Sequence, residues 1–199
     1  LSGGVPLFEA LRQQDHLYSV LEKGADGHQA IVVGAVHESL HRKLEGIAAV
    51  LEKLAEPQVA IVSMTITEKG YCIEPGSGRL DRQHPGIVAD LAWPHQPQTV
   101  PGILVEALRL RRERGLPAFS LLSCDNIPEN GHVLRRAVLD LAQARDPSLA
   151  DWIATAATFP CTMVDRIVPA ATPATLDEIA AALGGVRDEC AIACEPFIQ

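Results

Sequence analysis

The run from Ser120 to Gly131, Ser-Leu-Leu-Ser-Cys-Asp-Asn-Ile-Pro-Glu-Asn-Gly, constrains the fold more than any other stretch. It belongs to a strand pattern over residues 118–123, passes through a polar turn, and reaches Pro128, from which a helical pattern extends. A short apolar run bounded by turn residues fits a strand covered on both faces. In an open α/β sheet, ligands bind at the carboxyl ends of strands, where such strand-to-helix turns sit. Cys124, Asp125 and Asn126 therefore stand where chemistry is expected. Asn126 is the leading candidate, because a buried amide can donate hydrogen bonds to an oxyanion. The competing reading is that Asp125 or Asn126 only caps the helix, a common arrangement ahead of Pro in a first turn.

The remaining elements fit the same class. Leu7–Gln14 is a short helix at best, and Leu17–Lys23 and Gln29–Val36 are β-like runs joined through Gly24-Ala-Asp-Gly27. An Asp-Gly loop between such runs signals a hairpin. Leu44–Ala55 carries Leu44, Ile47, Ala48, Leu51 and Leu54 on one helical face, and Pro57 ends it. Val59–Val62 is a short apolar strand that runs into a second polar turn, Ser63–Gly70. His84–Leu91 and Ile103–Arg114 read as helices, the second with Arg109, Arg111, Arg112 and Arg114 near its C-terminus. Cations there complement the helix dipole, so a solvated basic face is expected. Further helices are predicted from about Pro128 to Arg145, over Leu149–Ala157 behind Asp146-Pro147-Ser148, and over Thr175–Leu183. Phe159–Val164 and Cys190–Cys194 are strand candidates. This alternation predicts an α/β fold, a mostly parallel sheet flanked by helices.

Composition narrows the partners. A formal charge of −8 argues against nucleic acid or an anionic membrane as the main partner. No apolar run approaches the roughly 20 residues of a membrane span. The five cysteines are scattered without a CxxC pair and read as free thiols, which predicts a reducing, cytoplasmic setting. The chain opens at Leu1 without methionine and stops at Gln199 without a polar tail, so a piece of a longer polypeptide or a processed start is expected.

One motif points elsewhere. His37-Glu-Ser-Leu-His41 fits the HExxH zinc-hydrolase pattern, with Glu38 as base. That chemistry needs a helix, so that both imidazoles face one metal. The alternation of Ile31–Leu40 favours a strand or strand end, on which His37 and His41 stand about 13 Å apart at about 3.3 Å per residue. Cys190 and Cys194 lack a second ligand pair and read as packed thiols. No GxGxxG, GxSxG or P-loop is present.

Three segments carry a more specific signal: Ser63-Met-Thr-Ile-Thr-Glu-Lys-Gly-Tyr71, Leu122-Ser-Cys-Asp-Asn-Ile-Pro-Glu-Asn-Gly131 and Phe159-Pro-Cys-Thr-Met-Val-Asp-Arg-Ile-Val-Pro169. In this order, and with Leu17–Gly24, Asp151-Trp152 and Glu195-Pro-Phe197 around them, the chain resembles the polyol-specific long-chain dehydrogenases. That family includes mannitol 2-dehydrogenase, arabinitol dehydrogenase, and the fructuronate and tagaturonate reductases. The resemblance spans nearly the whole chain. It implies a Rossmann-type N-terminal domain joined to a largely helical substrate domain, NAD or NADP as cofactor, and no metal. By motif, Asn126 resembles the asparagine that hydrogen-bonds the reacting oxygen, and Glu68 a glutamate near the nicotinamide and the proton path. Asp165 resembles a substrate-side carboxylate. Thr67, Glu68, Lys69 and Asn126 are the implied cofactor contacts, with Lys69 the weakest because it could simply pair with a neighbour.

The departures shape the expectation. No glycine-rich phosphate-binding turn and no clear acidic ribose-binding residue precede Leu17. The family's general-base lysine belongs to a domain that would begin after Phe197. Residues 1–199 are thus expected to be an incomplete dinucleotide-binding domain of a polyol or hexuronate dehydrogenase. Alone it is expected to be inactive, and to self-associate through the surface its missing domain leaves. The alternatives are a non-catalytic nucleotide- or partner-binding domain, and the zinc hydrolase through His37, Glu38 and His41.

Overall fold

The chain is described from a computed structural model, which covers residues 4–25, 27–164 and 168–196. The elements run α1 (Gly4–Gln13), β1 (Tyr18–Gly24), β2 (Gly27–Val33), α2 (Arg42–Leu54), β3 (Ile61–Met64), a 3-10 turn (Glu68–Tyr71) and α3 (Pro85–Ala92). They continue with α4 (Val100–Glu113), β4 (Ser120–Ser123), α5 (Asn130–Arg145), α6 (Pro147–Ala156), α7 (Pro173–Ala182) and β5 (Ile192–Cys194). The chain divides into two compact units, residues 1–41 with 165–199 and residues 42–164.

In the first unit the expected hairpin forms. β1 and β2 pair antiparallel from Tyr18 opposite Val33 to Gly24 opposite Gly27. β5 joins the other edge of β1 in parallel. Leu21, Ile179, Ala191 and Ala193 pack beneath this sheet. Asp188 ties its start together, accepting hydrogen bonds from the Ser19 amide and hydroxyl, the Cys190 amide and the Gln14 side chain. Burial alone pushes this carboxyl up, but those donors prevail and hold it below the ordinary aspartate range.

The second unit holds a larger core. Leu104, Val105 and Leu108 of α4 pack with Phe119, Leu121, Leu134, Val138 and Ile153. β3 and β4 pair in parallel, Ile61 opposite Ser120 through Met64 opposite Ser123. The α/β class is therefore as expected, with sheets that are small and mixed: two parallel pairings and one antiparallel hairpin.

Three local expectations need correction. Phe159–Val164 forms no strand. Pro160 has no amide to donate to a ladder, and the segment instead meets β4 through single bonds, such as Thr162 Oγ1 to Ser123 O at 2.7 Å. The basic end of α4 is not a simple solvated face. Arg111 is 1% exposed and donates to the carbonyls of Pro117 and Glu56 at 2.7 Å and of Leu54 at 3.3 Å. It thereby bonds carbonyls at and just beyond the end of α2, among them that of Leu54 in the last turn. Residues 34–41 form neither helix nor strand, so His37 and His41 do not share a helical turn. The His41 ring lies 5.3 Å from that of Phe8. Glu38, Ser39 and His41 line a largely apolar cavity of about 440 Å³ with Leu7, Phe8 and Leu11. Among the described residues no group of three or more His, Cys, Asp or Glu side chains is arranged to hold a metal.

Candidate active site at the ends of two parallel strands

The ends of β3 and β4 lie side by side because the strands are parallel and in register, and Cys124 N extends the pairing to Met64 O at 2.8 Å. Both polar turns therefore leave the sheet at the same edge, the carboxyl end where α/β proteins bind ligands. The two turns are joined by a carboxylate. Asp125 Oδ1 accepts the backbone N–H groups of Ile66 and Thr67, each at 2.9 Å, and Oδ2 accepts the Tyr71 hydroxyl at 2.5 Å. Tyr71 also meets Ser123 Oγ at 2.5 Å. Burial, and then the hydrogen bond to Asp125, push the Tyr71 phenol far above its ordinary range, so it stays a neutral donor.

The first turn is strained. Thr67 has φ 63° and ψ 165°, an unfavourable region for a β-branched residue that costs roughly 1–3 kcal/mol. Gly70 makes the turn fit, since a Cβ there would lie 2.9 Å from Ile66 Cβ. Thr67, Glu68 and Lys69 are exposed, and neither the Glu68 nor the Lys69 side chain pairs with another described residue. The alternative that Lys69 merely pairs with a neighbour finds no partner among the described residues.

The third segment arrives at the same edge. Asn130, 1% exposed, donates from its amide to Thr162 Oγ1 at 2.9 Å and to Asp125 O at 3.1 Å, and its carbonyl accepts Thr162 N at 3.0 Å. Thr162 Oγ1 in turn donates to Ser123 O at 2.7 Å. Gly131 permits this approach: a Cβ would stand 2.5 Å from Pro160 O and 2.6 Å from Phe159 O.

The expected residues thus divide. Glu68, Thr67, Lys69 and Asn126 lie on the two joined turns, whereas Asp165 and its neighbour Arg166 lie outside the described residues. Asn126 is exposed, not buried, and its amide bonds to no other described residue. The buried amide of this turn is Asn130. Helix capping by Asp125 is overturned. Its carboxylate faces the other turn, and α5 starts behind Glu129 without a side-chain cap. Sequence reading passed over Tyr71, Asn130, Gly131 and Thr162. Their only signal was membership of the three quoted segments.

Among the described residues the Asn126 amide and the Glu68 carboxylate have no partners, so the turns from adjacent strand ends present a hydrogen-bond donor and an acceptor. The profile of the mannitol dehydrogenase Rossmann domain matches residues 3–199. An uncharacterized oxidoreductase of Escherichia coli K12, YeiQ, is 62% identical over all of this chain and 41% of its own length. The D-mannonate oxidoreductase of the same organism is 58% identical over 97% of this chain and 40% of its own length. The solved ternary complex of Pseudomonas fluorescens mannitol 2-dehydrogenase with NAD and D-mannitol is 40% identical, with TM-score 0.89, over 96% of this chain and 39% of that one. The chain spans about 40% of the length of these relatives. On its sequence and its fold together, this chain belongs to the mannitol dehydrogenase Rossmann-domain family.

Proposed function

We propose that this chain is the dinucleotide-binding part of an NAD- or NADP-dependent dehydrogenase acting on a polyol or a hexuronate. One observation carries the reading. Asp125 joins the turns after β3 and β4, and on these joined turns Asn126 and Glu68 are exposed and without partners among the described residues. The bound nicotinamide supplies the hydride chemistry, and the protein supplies orientation and charge. Asn126 donates its amide N–H to the oxygen at the reacting carbon and stabilises the negative charge that develops there. Glu68 holds a proton near that oxygen and passes it toward solvent. Thr67 and Lys69 line the cofactor side of the same turn, and Asp165 receives sugar hydroxyls.

The nicotinamide end of such a site fits the residues present. The pyrophosphate end does not, because no glycine-rich strand-to-helix turn lies in this sequence. The general base belongs to a further domain. The 199-residue chain accordingly turns over no substrate by itself. The relatives named above support the polyol and sugar-acid classes, and the choice between the classes and between NAD and NADP rests on residues outside this chain.

A chimera tests the reading. Residues 3–199 replace the matching segment of the E. coli D-mannonate oxidoreductase, and steady-state rates are measured with that enzyme's own substrate and cofactor. A folded, active chimera is expected. A chimera that folds with native-like circular dichroism and shows no turnover overturns the assignment.

A further inference from the structure

The parallel pairing of β3 and β4 already holds the two strands together, through four residue pairs and the Cys124–Met64 bond. Asp125 adds something the ladder does not need. Its two oxygens take three donors, all from beyond the end of β3: the amides of Ile66 and Thr67 and the hydroxyl of Tyr71. We propose that Asp125 is the positioning residue of the candidate site, its carboxylate setting the strained Thr67–Glu68 turn against the Asn126 turn.

The chemistry of the group supports positioning and not proton transfer. Asp125 is 8% exposed, and its acceptor sites face donors of the protein itself. Tyr71 is held neutral by its surroundings and so serves as a fixed donor. The unfavourable φ of Thr67 needs an external restraint, and the carboxylate that accepts Thr67 N–H supplies one. On the other side of the same loop, Asn130 brackets Thr162 through both its amide and its carbonyl. The segment from Ser123 to Gly131 therefore acts as a bracket whose two arms, Asp125 and Asn130, fix the neighbouring segments. What the bracket serves rests on the proposed function, whereas the bracket itself rests only on hydrogen bonds of this chain.

The test uses the 199-residue chain in three variants: Asp125→Ala, Asp125→Asn and Tyr71→Phe. Asparagine keeps one oxygen for both amides, and its NH₂ can donate to Tyr71, which then turns its proton to Ser123. Amide hydrogen exchange is followed by NMR at Ile66 and Thr67, with Ser120 and Cys124 reporting the strand pairing. In Asp125→Ala, exchange at Ile66 and Thr67 is expected to rise at least about tenfold while Ser120 and Cys124 stay protected; Asp125→Asn stays within about threefold of the parent. NADH titration by nicotinamide fluorescence is the second readout, with affinity lost in Asp125→Ala and restored in Asp125→Asn.

Unchanged exchange at Ile66 and Thr67 in Asp125→Ala overturns the proposal. So does an Asp125→Asn chain that keeps the amides protected yet binds NADH as poorly as Asp125→Ala, since charge and not geometry is then what matters. Should Asp125→Ala not fold, Tyr71→Phe and Asp125→Asn decide: the first must loosen Ile66 and Thr67 more than the ladder, and the second must not. If the parent chain itself fails to bind NADH, cofactor binding by the isolated chain falls, and the exchange pattern still judges the clamp.

Discussion

At the residue scale, one turn carries three polar side chains with three different tasks. Asp125 reaches across to the neighbouring turn, Asn126 stays exposed, and Asn130 is buried against the third segment. From the sequence, the position of this turn at a strand end was legible, because a buried apolar run followed by Asp-Asn and Pro has few other uses. The division of labour was not. Whether a carboxylate caps its own helix or binds a distant amide depends on where another strand lies, which local pattern does not encode. Tyr71 gives this scale its prediction. The chain has two tyrosines, Tyr18 and Tyr71. The Tyr71 phenol is raised above its ordinary value of 10.0 by burial and then by Asp125. The unfolded chain ionises this group near that ordinary value and the folded chain does not. Its contribution to stability is therefore complete below pH 10.0 and declines as pH rises past it. In an alkaline titration, the phenolate absorbance assigned by Tyr71→Phe should appear only together with loss of far-ultraviolet circular dichroism. Ionisation of Tyr71 at an ordinary midpoint in a folded chain would contradict this account.

At the scale of elements, helices were the most legible. Periodicity located each of α2 to α7, and residues such as Thr99, Asp146 and Thr172 cap the starts of α4, α6 and α7 as their chemistry dictates. Strands were less so. Phe159–Val164 has the composition of a strand, but Pro160 and the side-chain bonds of Thr158 and Thr162 give it another route along β4. Arg111 was misread for a similar reason: the dipole argument holds for an isolated helix, whereas here the end of α2 offers carbonyls to a buried guanidinium. The route of the third segment depends on Gly131. Gly131→Ala places a Cβ against the carbonyls of Phe159 and Pro160 and should cost roughly 1–3 kcal/mol, the usual penalty of overpacking. Urea denaturation of the 199-residue chain measures it. A loss below about 0.5 kcal/mol, the scatter of ordinary surface substitutions, would mean that the close approach is not required.

At the scale of the molecule, the second unit exposes apolar side chains. Ile61 is 62% exposed at the start of β3, which among the described residues pairs on one side only, and Trp93 and Met163 are 71% and 82% exposed. An open strand edge with apolar residues is a template for association. We predict that the isolated chain self-associates with rising concentration, and that Ile61→Lys weakens this. Sedimentation velocity checks both, and a monomer at every concentration would contradict them. No described helix is long and apolar enough to cross a membrane, and among the described residues no disulfide joins the five cysteines. The family was legible because three motifs stand in a fixed order. Which substrate the proposed dehydrogenase takes was not, because the chain spans only about 40% of its relatives. The role proposed for Asn126 is to serve the reacting oxygen of a dehydrogenase built on this domain. Its most direct test compares kcat of the D-mannonate oxidoreductase chimera with that of its Asn126→Ala variant. The account predicts a fall of about 10²- to 10³-fold, the usual effect of removing one oxyanion donor, with the melting temperature unchanged. An Asn126→Ala chimera with undiminished kcat would contradict it.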